Sequence, residues 1–90
     1  MYYIKERGWF VIRDSARKHG VTDADMCHAI GQALVVMTVD GRYRGRAMHL
    51  GPDSAGRLLE VVTVTPAVGA HIVIYAMPMR RNFLTYLDEG

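Results

Sequence analysis

The sequence predicts an α+β fold: two N-terminal helices, an antiparallel sheet of three to four strands, and a C-terminal helix. Two observations carry this prediction. Helix-like segments precede position 34, and β-rich runs separated by Gly- and Pro-containing turns fill most of the remainder. Helices followed by a run of strands argue for segregated layers rather than a parallel α/β sheet. The short connections suit antiparallel hairpins. Ninety residues, 50% of them hydrophobic, suffice for one domain spanning 1–90 with a single core.

Trp9-Phe10-Val11-Ile12 is a short apolar run that reads as an edge strand or as the lead into the first helix. That helix covers 13–19 and stops at Gly20, because glycine takes the left-handed conformation after a helix without steric penalty. Arg17, Lys18 and His19 occupy its last turn, where the helix dipole favours cations. Thr22 or Asp23 caps a second helix over 23–33, in which Met26, Cys27, Ile30 and Leu34 follow the spacing of a buried face. Gly31 near its end points to a close packing contact or to fraying.

Residues 34–39 form the first β-rich run, ended by the turn dipeptide Asp40-Gly41. A second strand covers 44–50 and closes at Gly51-Pro52-Asp53-Ser54-Ala55-Gly56. The third, 57–65, is nearly all apolar, as expected of a central strand covered on at least one face. Pro66-Ala67-Val68-Gly69 turns the chain into a last strand over 71–76. A final helix over 79–87 sets Phe83, Leu84 and Leu87 on one side, with Pro78 suited to its entry.

No apolar run reaches the ~18 residues of a membrane span, and the N-terminus lacks the h-region of a signal peptide. Cys27 is the sole cysteine and has no internal disulfide partner. The expectation is a cytoplasmic protein with no membrane partner. The formal net charge is only +2, yet nine of the eleven cations are arginine: Arg7, Arg13, Arg17, Arg42, Arg44, Arg46, Arg57, Arg80 and Arg81. Arginine presents a planar, permanently charged fork matched to phosphate or carboxylate. A GC-rich genome would raise the same count without any functional cause.

There is no Gly-rich phosphate loop, no cysteine pair for zinc and no His-x-x-x-His helix, and Ser15 and Ser54 lack a nucleophile-elbow context. The histidines His19, His28, His49 and His71 lack metal-ligand spacing, so neither a metal nor a cofactor is expected. His49 and His71 read as surface or half-buried strand residues, and His28 as a residue at the helix–solvent boundary. The remaining chemistry is metal-independent RNA cleavage. It requires a base for the ribose 2′-OH, cations for the charged phosphorane and an acid for the leaving 5′ oxygen. The chain supplies His19, Lys18, Arg46 and Arg80 as candidate catalytic residues, with Arg17, Arg57 and Arg81 as candidate RNA contacts. Taken singly, each of these reads as a solvated charge; the functional reading depends on their convergence.

Lys18-His19-Gly20-Val21 with a capped helix after it resembles the opening of BrnT-type toxins of bacterial toxin–antitoxin systems. Arg46-Ala47-Met48-His49-Leu50-Gly51 followed by Gly56-Arg57-Leu58-Leu59-Glu60-Val61-Val62 is similar to that family's paired strands. Ile72-Val73-Ile74-Tyr75-Ala76 and the basic segment behind it resemble the family's end, so the likeness runs over about 13–87. The resemblance implies a RelE-like fold, a ribonuclease that halts translation, and a cognate antitoxin, through which operator DNA would be contacted only indirectly. Homodimers and heterotetramers with the antitoxin are the assemblies it allows. Lys18 and His19 match the family's Lys-His-Gly corner and Arg46 its strand-opening arginine. One departure stands out: Met77-Pro78 follows Ala76 where the family places Arg-Lys, leaving Arg80 and Arg81 to return charge to that edge. The alternatives are a non-catalytic RNA- or protein-binding module of the same fold, and a structural subunit whose exposed apolar surface seeks a partner.

Overall fold

The computed structural model describes residues 1–38 and 45–88, so Asp40-Gly41, Arg42 and Arg44 lie outside the described residues. The chain opens with a β-hairpin, β1 (Tyr2–Ile4) and β2 (Gly8–Ile12), and continues through a 3-10 turn (Asp14–Arg17) into helix α1 (Asp23–Gly31). Strands β3 (Val35–Thr38), β4 (Arg46–Pro52), β5 (Leu58–Val64) and β6 (His71–Pro78) follow, then a 3-10 turn (Arg81–Phe83) and a short helix α2 (Leu84–Asp88). All six strands form one sheet in the order β1-β2-β6-β5-β4-β3. Each pairing is antiparallel except β2 with β6, which runs parallel.

This corrects the predicted fold class of two N-terminal helices, three or four antiparallel strands and a C-terminal helix. The first expected helix is a four-residue 3-10 turn. The Arg13 N–H bonds to the Val73 carbonyl at 3.1 Å, holding the chain against β6, and Gly20 at φ +79° ends the segment. The β1–β2 hairpin gives no local signal, because its strands are three and five residues long and its turn puts Glu6 at φ +67° with no Asn-Gly or Asp-Gly pair. The Trp9–Ile12 run is an interior strand, paired with β1 on one side and with residues 71–73 on the other. Pro78 closes β6 rather than opening a helix, since the Met79 N–H still bonds to the Leu58 carbonyl at 3.0 Å. The expected final helix is reduced to α2 and its 3-10 lead-in.

Helix α1 forms as the sequence predicts. The Thr22 hydroxyl caps it by accepting the Asp25 N–H at 3.2 Å, with Asp23 and Asp25 at its positive end. Met26, Ala29 and Ile30 are fully buried and face Leu59, Val61, Val73 and Ala76 of the sheet, with Ile4, Phe10 and Ile12 from the hairpin. Burying a side chain such as Ile30 contributes about 1.5–3 kcal/mol.

The helix approaches β4 at Gly51, where a Cβ would overlap the Ala29 carbonyl oxygen and lie 3.0 Å from the Ala33 Cα. Gly51→Ala is expected to cost about 1–3 kcal/mol by overpacking, read as a lower thermal midpoint. A midpoint unchanged by that substitution would show that the helix can shift.

Asp23 ties three segments together. It accepts bonds from the Tyr2 hydroxyl at 2.8 Å and from the Arg17 Nε and Nη2 at 2.8 Å each. These donors, the guanidinium above all, hold its carboxyl at about 2, below the ordinary value of 3.8. A depressed carboxylate contributes stability that is present above pH 4 and is lost as pH falls toward 2. The acid-unfolding profile of Asp23→Asn should therefore be flatter than the parent's between pH 4 and 2, followed by circular dichroism.

Candidate functional site

Alternation along the strands sorts the sheet into two faces. Gly51, Leu59, Val61, Val73 and Ala76 face α1. Met48, Leu50, Leu58, Glu60, Val62, Val64, Ile72 and Tyr75 follow from the same registers onto the opposite face. A β-bulge makes this possible for Tyr75: Thr63 pairs with Val73 but Val62 pairs with Tyr75, so Ile74 is the extra residue. Strict alternation would send Tyr75 to the core beside Val73. The bulge re-aims it, as bulges near sites often do.

Arg46, Met48, Val62, Ile74, Tyr75 and Arg80 line an open groove on this second face, with a volume of about 460 Å³. Arg46 comes from the first residue of β4 and Arg80 from just beyond β6. His19, exposed on the segment before α1, sets its ring edge against Tyr75, with centroids 5.8 Å apart and planes at 71°. Three candidates far apart in sequence, His19, Arg46 and Arg80, thus meet around one tyrosine. Lys18 is exposed beside His19 on the same segment.

Arg80 is held by Glu60. The Arg80 Nε donates to Oε1 at 2.8 Å, Nη2 to Oε2 at 3.2 Å and the backbone N–H to Oε1 at 3.2 Å. The Glu60 side chain is 0% exposed while that of Arg80 is 54% exposed, so the carboxylate is covered and the guanidinium reaches solvent. The Arg80 Cζ also lies 5.4 Å from the Phe83 ring centroid. Bonding to Glu60 shifts the Arg80 guanidinium further toward its charged form. Burial first, and then the Glu60 charge, raise the Tyr75 phenol, whose hydroxyl donates to the Met77 sulfur. The phenol therefore remains a protonated donor at neutral pH.

The other candidates lie elsewhere. Arg17 is bidentate to Asp23 and bonds to Asp14, so its guanidinium fixes the start of α1. Arg57 pairs with Asp53 at 3.2 Å in the β4–β5 turn. Its neighbour Leu58 is six residue steps along the strand from Val64, the partner of Arg46, or roughly 20 Å at ~3.3 Å per residue. Arg81 is exposed in the second 3-10 turn and is not among the described residues lining the groove.

Glu60, the buried partner of Arg80, is not among the residues the sequence singles out. Its one signal was a carboxylate inside the most apolar strand, Leu58-Leu59-Glu60-Val61-Val62. Nothing local to Tyr75 announces the bulge that re-aims it.

Among the described residues, no three His, Cys, Asp or Glu side chains cluster as metal ligands would, and no helix is long and apolar enough to cross a membrane. Neither a family model, nor a characterised protein, nor a solved structure matches the chain.

Proposed function

We propose that the helix-free groove binds RNA and cleaves it without a metal, and that the protein acts as the toxin of a toxin–antitoxin pair in the cytoplasm. The observation that carries this reading is the meeting of His19, Arg46 and Arg80 around Tyr75. Its chemistry matches what transesterification of RNA demands. His19 takes the proton from a ribose 2′-OH, whose oxygen attacks phosphorus. Arg46 and Arg80 stabilise the charge that builds on the phosphorane oxygens. The bond to the 5′ oxygen breaks, Lys18 protonates that oxygen, and a 2′,3′-cyclic phosphate remains. Tyr75 offers a ring on which an unpaired base can stack, a contact that every base can make.

The same face continues past Ile72 to Val11, Trp9 and Tyr3 through the register of β2 with β6 and β1 with β2. Trp9 is 54% and Tyr3 60% exposed, with ring centroids 5.1 Å apart. An exposed apolar strip beside a charged groove suits a protein partner that covers both, and an antitoxin that blocks RNA access fits that description.

Incubating the purified protein with messenger RNA, with and without EDTA, tests the reading. Cleavage that survives EDTA and leaves cyclic phosphate ends is expected. Absence of cleavage, or its loss in EDTA, overturns it. One observation favours a non-catalytic RNA-binding module instead: Glu60 neutralises Arg80 within the groove. That module would bind RNA with strong salt dependence, because phosphate contacts release counterions, and would leave the RNA intact.

A further inference from the structure

The α1 side of the sheet carries a second polar site that the groove does not use. Past the Gly51 rung covered by the helix, Arg7, Phe10, Ala47, His49, Thr63, Thr65 and His71 line a cavity of about 190 Å³. Arg7 comes from the β1–β2 turn, Thr65 from just past β5, and the rest from strands β2, β4, β5 and β6, so the site is held largely by the sheet itself. The His49 Nε2 lies 3.0 Å from the Thr63 hydroxyl, and the His71 Nδ1 lies 2.7 Å from the Thr65 hydroxyl. The His71 ring packs on Phe10 with centroids 4.7 Å apart. His49 is only 6% exposed, and its Nδ1 is buried without a hydrogen-bond partner. A buried polar atom left unpaired is costly and calls for an explanation.

The lining surface is mostly apolar, with a few polar groups, and its one fixed charge is the Arg7 cation. Among the described residues it holds no carboxylate; Glu6, adjacent to Arg7, is exposed and does not line it. A metal cation would meet Arg7 with only two imidazoles to hold it. A tetrahedral anion would meet one guanidinium and one remaining donor from each of the His49–Thr63 and His71–Thr65 pairs. The volume is below the ~300 Å³ where pockets for whole drug-sized ligands begin, so it suits one compact group. We infer that this cavity is a phosphate-binding site, separate from the groove, which takes either free inorganic phosphate or the terminal phosphate of a nucleotide.

The state of His49 agrees. Burial first, then the charges of Arg7 and His71, lower its pKa to about 4, so the imidazole is neutral at pH 7 in a positive surrounding. A bound anion reverses the electrostatic part, raising the His49 pKa and tightening binding as pH falls.

The test is a titration of the intact protein, following the ring resonances of His49, His71 and Tyr75 by NMR. The probes are inorganic phosphate, uridine 5′-monophosphate and uridine. Saturable shifts at His49 and His71 with both phosphates, absent with uridine, are expected, together with an upward move of the His49 titration. Tighter binding of the monophosphate assigns the site to nucleotides; equal binding assigns it to free phosphate. Arg7→Ala, at an exposed turn position, should weaken binding about tenfold or more through loss of a charged donor. No saturable shift, binding unchanged in Arg7→Ala, or shifts confined to Tyr75 in the groove would each overturn the assignment.

Discussion

If the proposed cleavage holds, replacing His19 by alanine is expected to lower it by roughly 10²–10⁴-fold, the range typical for loss of a positioned general base. The expectation follows from placement. The imidazole is exposed and lies against Tyr75, which itself lines a groove carrying two arginines, so it is not committed to the core. Because it is exposed, the thermal midpoint should stay close to the parent's, since surface substitutions usually fall within about 0.5 kcal/mol. His19→Gln, which retains hydrogen bonding but cannot shuttle the proton, should lose as much. Arg57→Ala provides the control, since that arginine sits in the β4–β5 turn with Asp53, far along the strand from Arg46. Its cleavage rate should match the parent's. If Arg57→Ala abolishes cleavage while His19→Ala does not, the groove is the wrong site.

What the sequence made legible was what is local. Helix α1 announced itself through Thr22 and the spacing of Met26, Cys27 and Ile30, and β4 to β6 through β-rich runs closed by Gly and Pro turns. The parallel pairing of β2 with β6 joins residues about sixty positions apart, and no periodicity within either strand encodes it. The residues after β2 looked helical because Arg17-Lys18-His19-Gly20 is good helix-end chemistry. The sheet takes up the Arg13 N–H and leaves a single 3-10 turn. At the site, the residue types Arg46, Arg80 and His19 were legible and their meeting was not, because it depends on the bulge at Ile74. Arg17 and Arg57 carried the same signal as Arg80, yet Asp23 and Asp53 engage them elsewhere. Identical side chains were sorted by which carboxylate the fold set beside each.

Arg80→Ala is the variant in which stability and chemistry must be separated. Glu60 is fully buried and accepts three bonds, all from Arg80, two of them from the guanidinium. Removing that side chain strands a carboxylate away from water, and breaking a buried pair in this way is strongly destabilising. A fall of the thermal midpoint of roughly 10 °C is expected for a domain of this size. Reduced cleavage in the single variant would therefore say nothing about the transition state. The double variant Glu60→Gln with Arg80→Ala removes the stranded charge and should recover most of the lost midpoint. Cleavage should remain low in it, because the phosphorane then faces Arg46 alone. Glu60→Gln by itself leaves the Arg80 charge present but less firmly positioned, so kcat should fall more than KM rises if that charge acts on the transition state. Recovery of both stability and cleavage in the double variant would make the Glu60–Arg80 pair a structural clamp and leave catalysis to His19 and Arg46. Recovery of stability without cleavage identifies the Arg80 guanidinium as a phosphate contact, with Glu60 the residue that positions it.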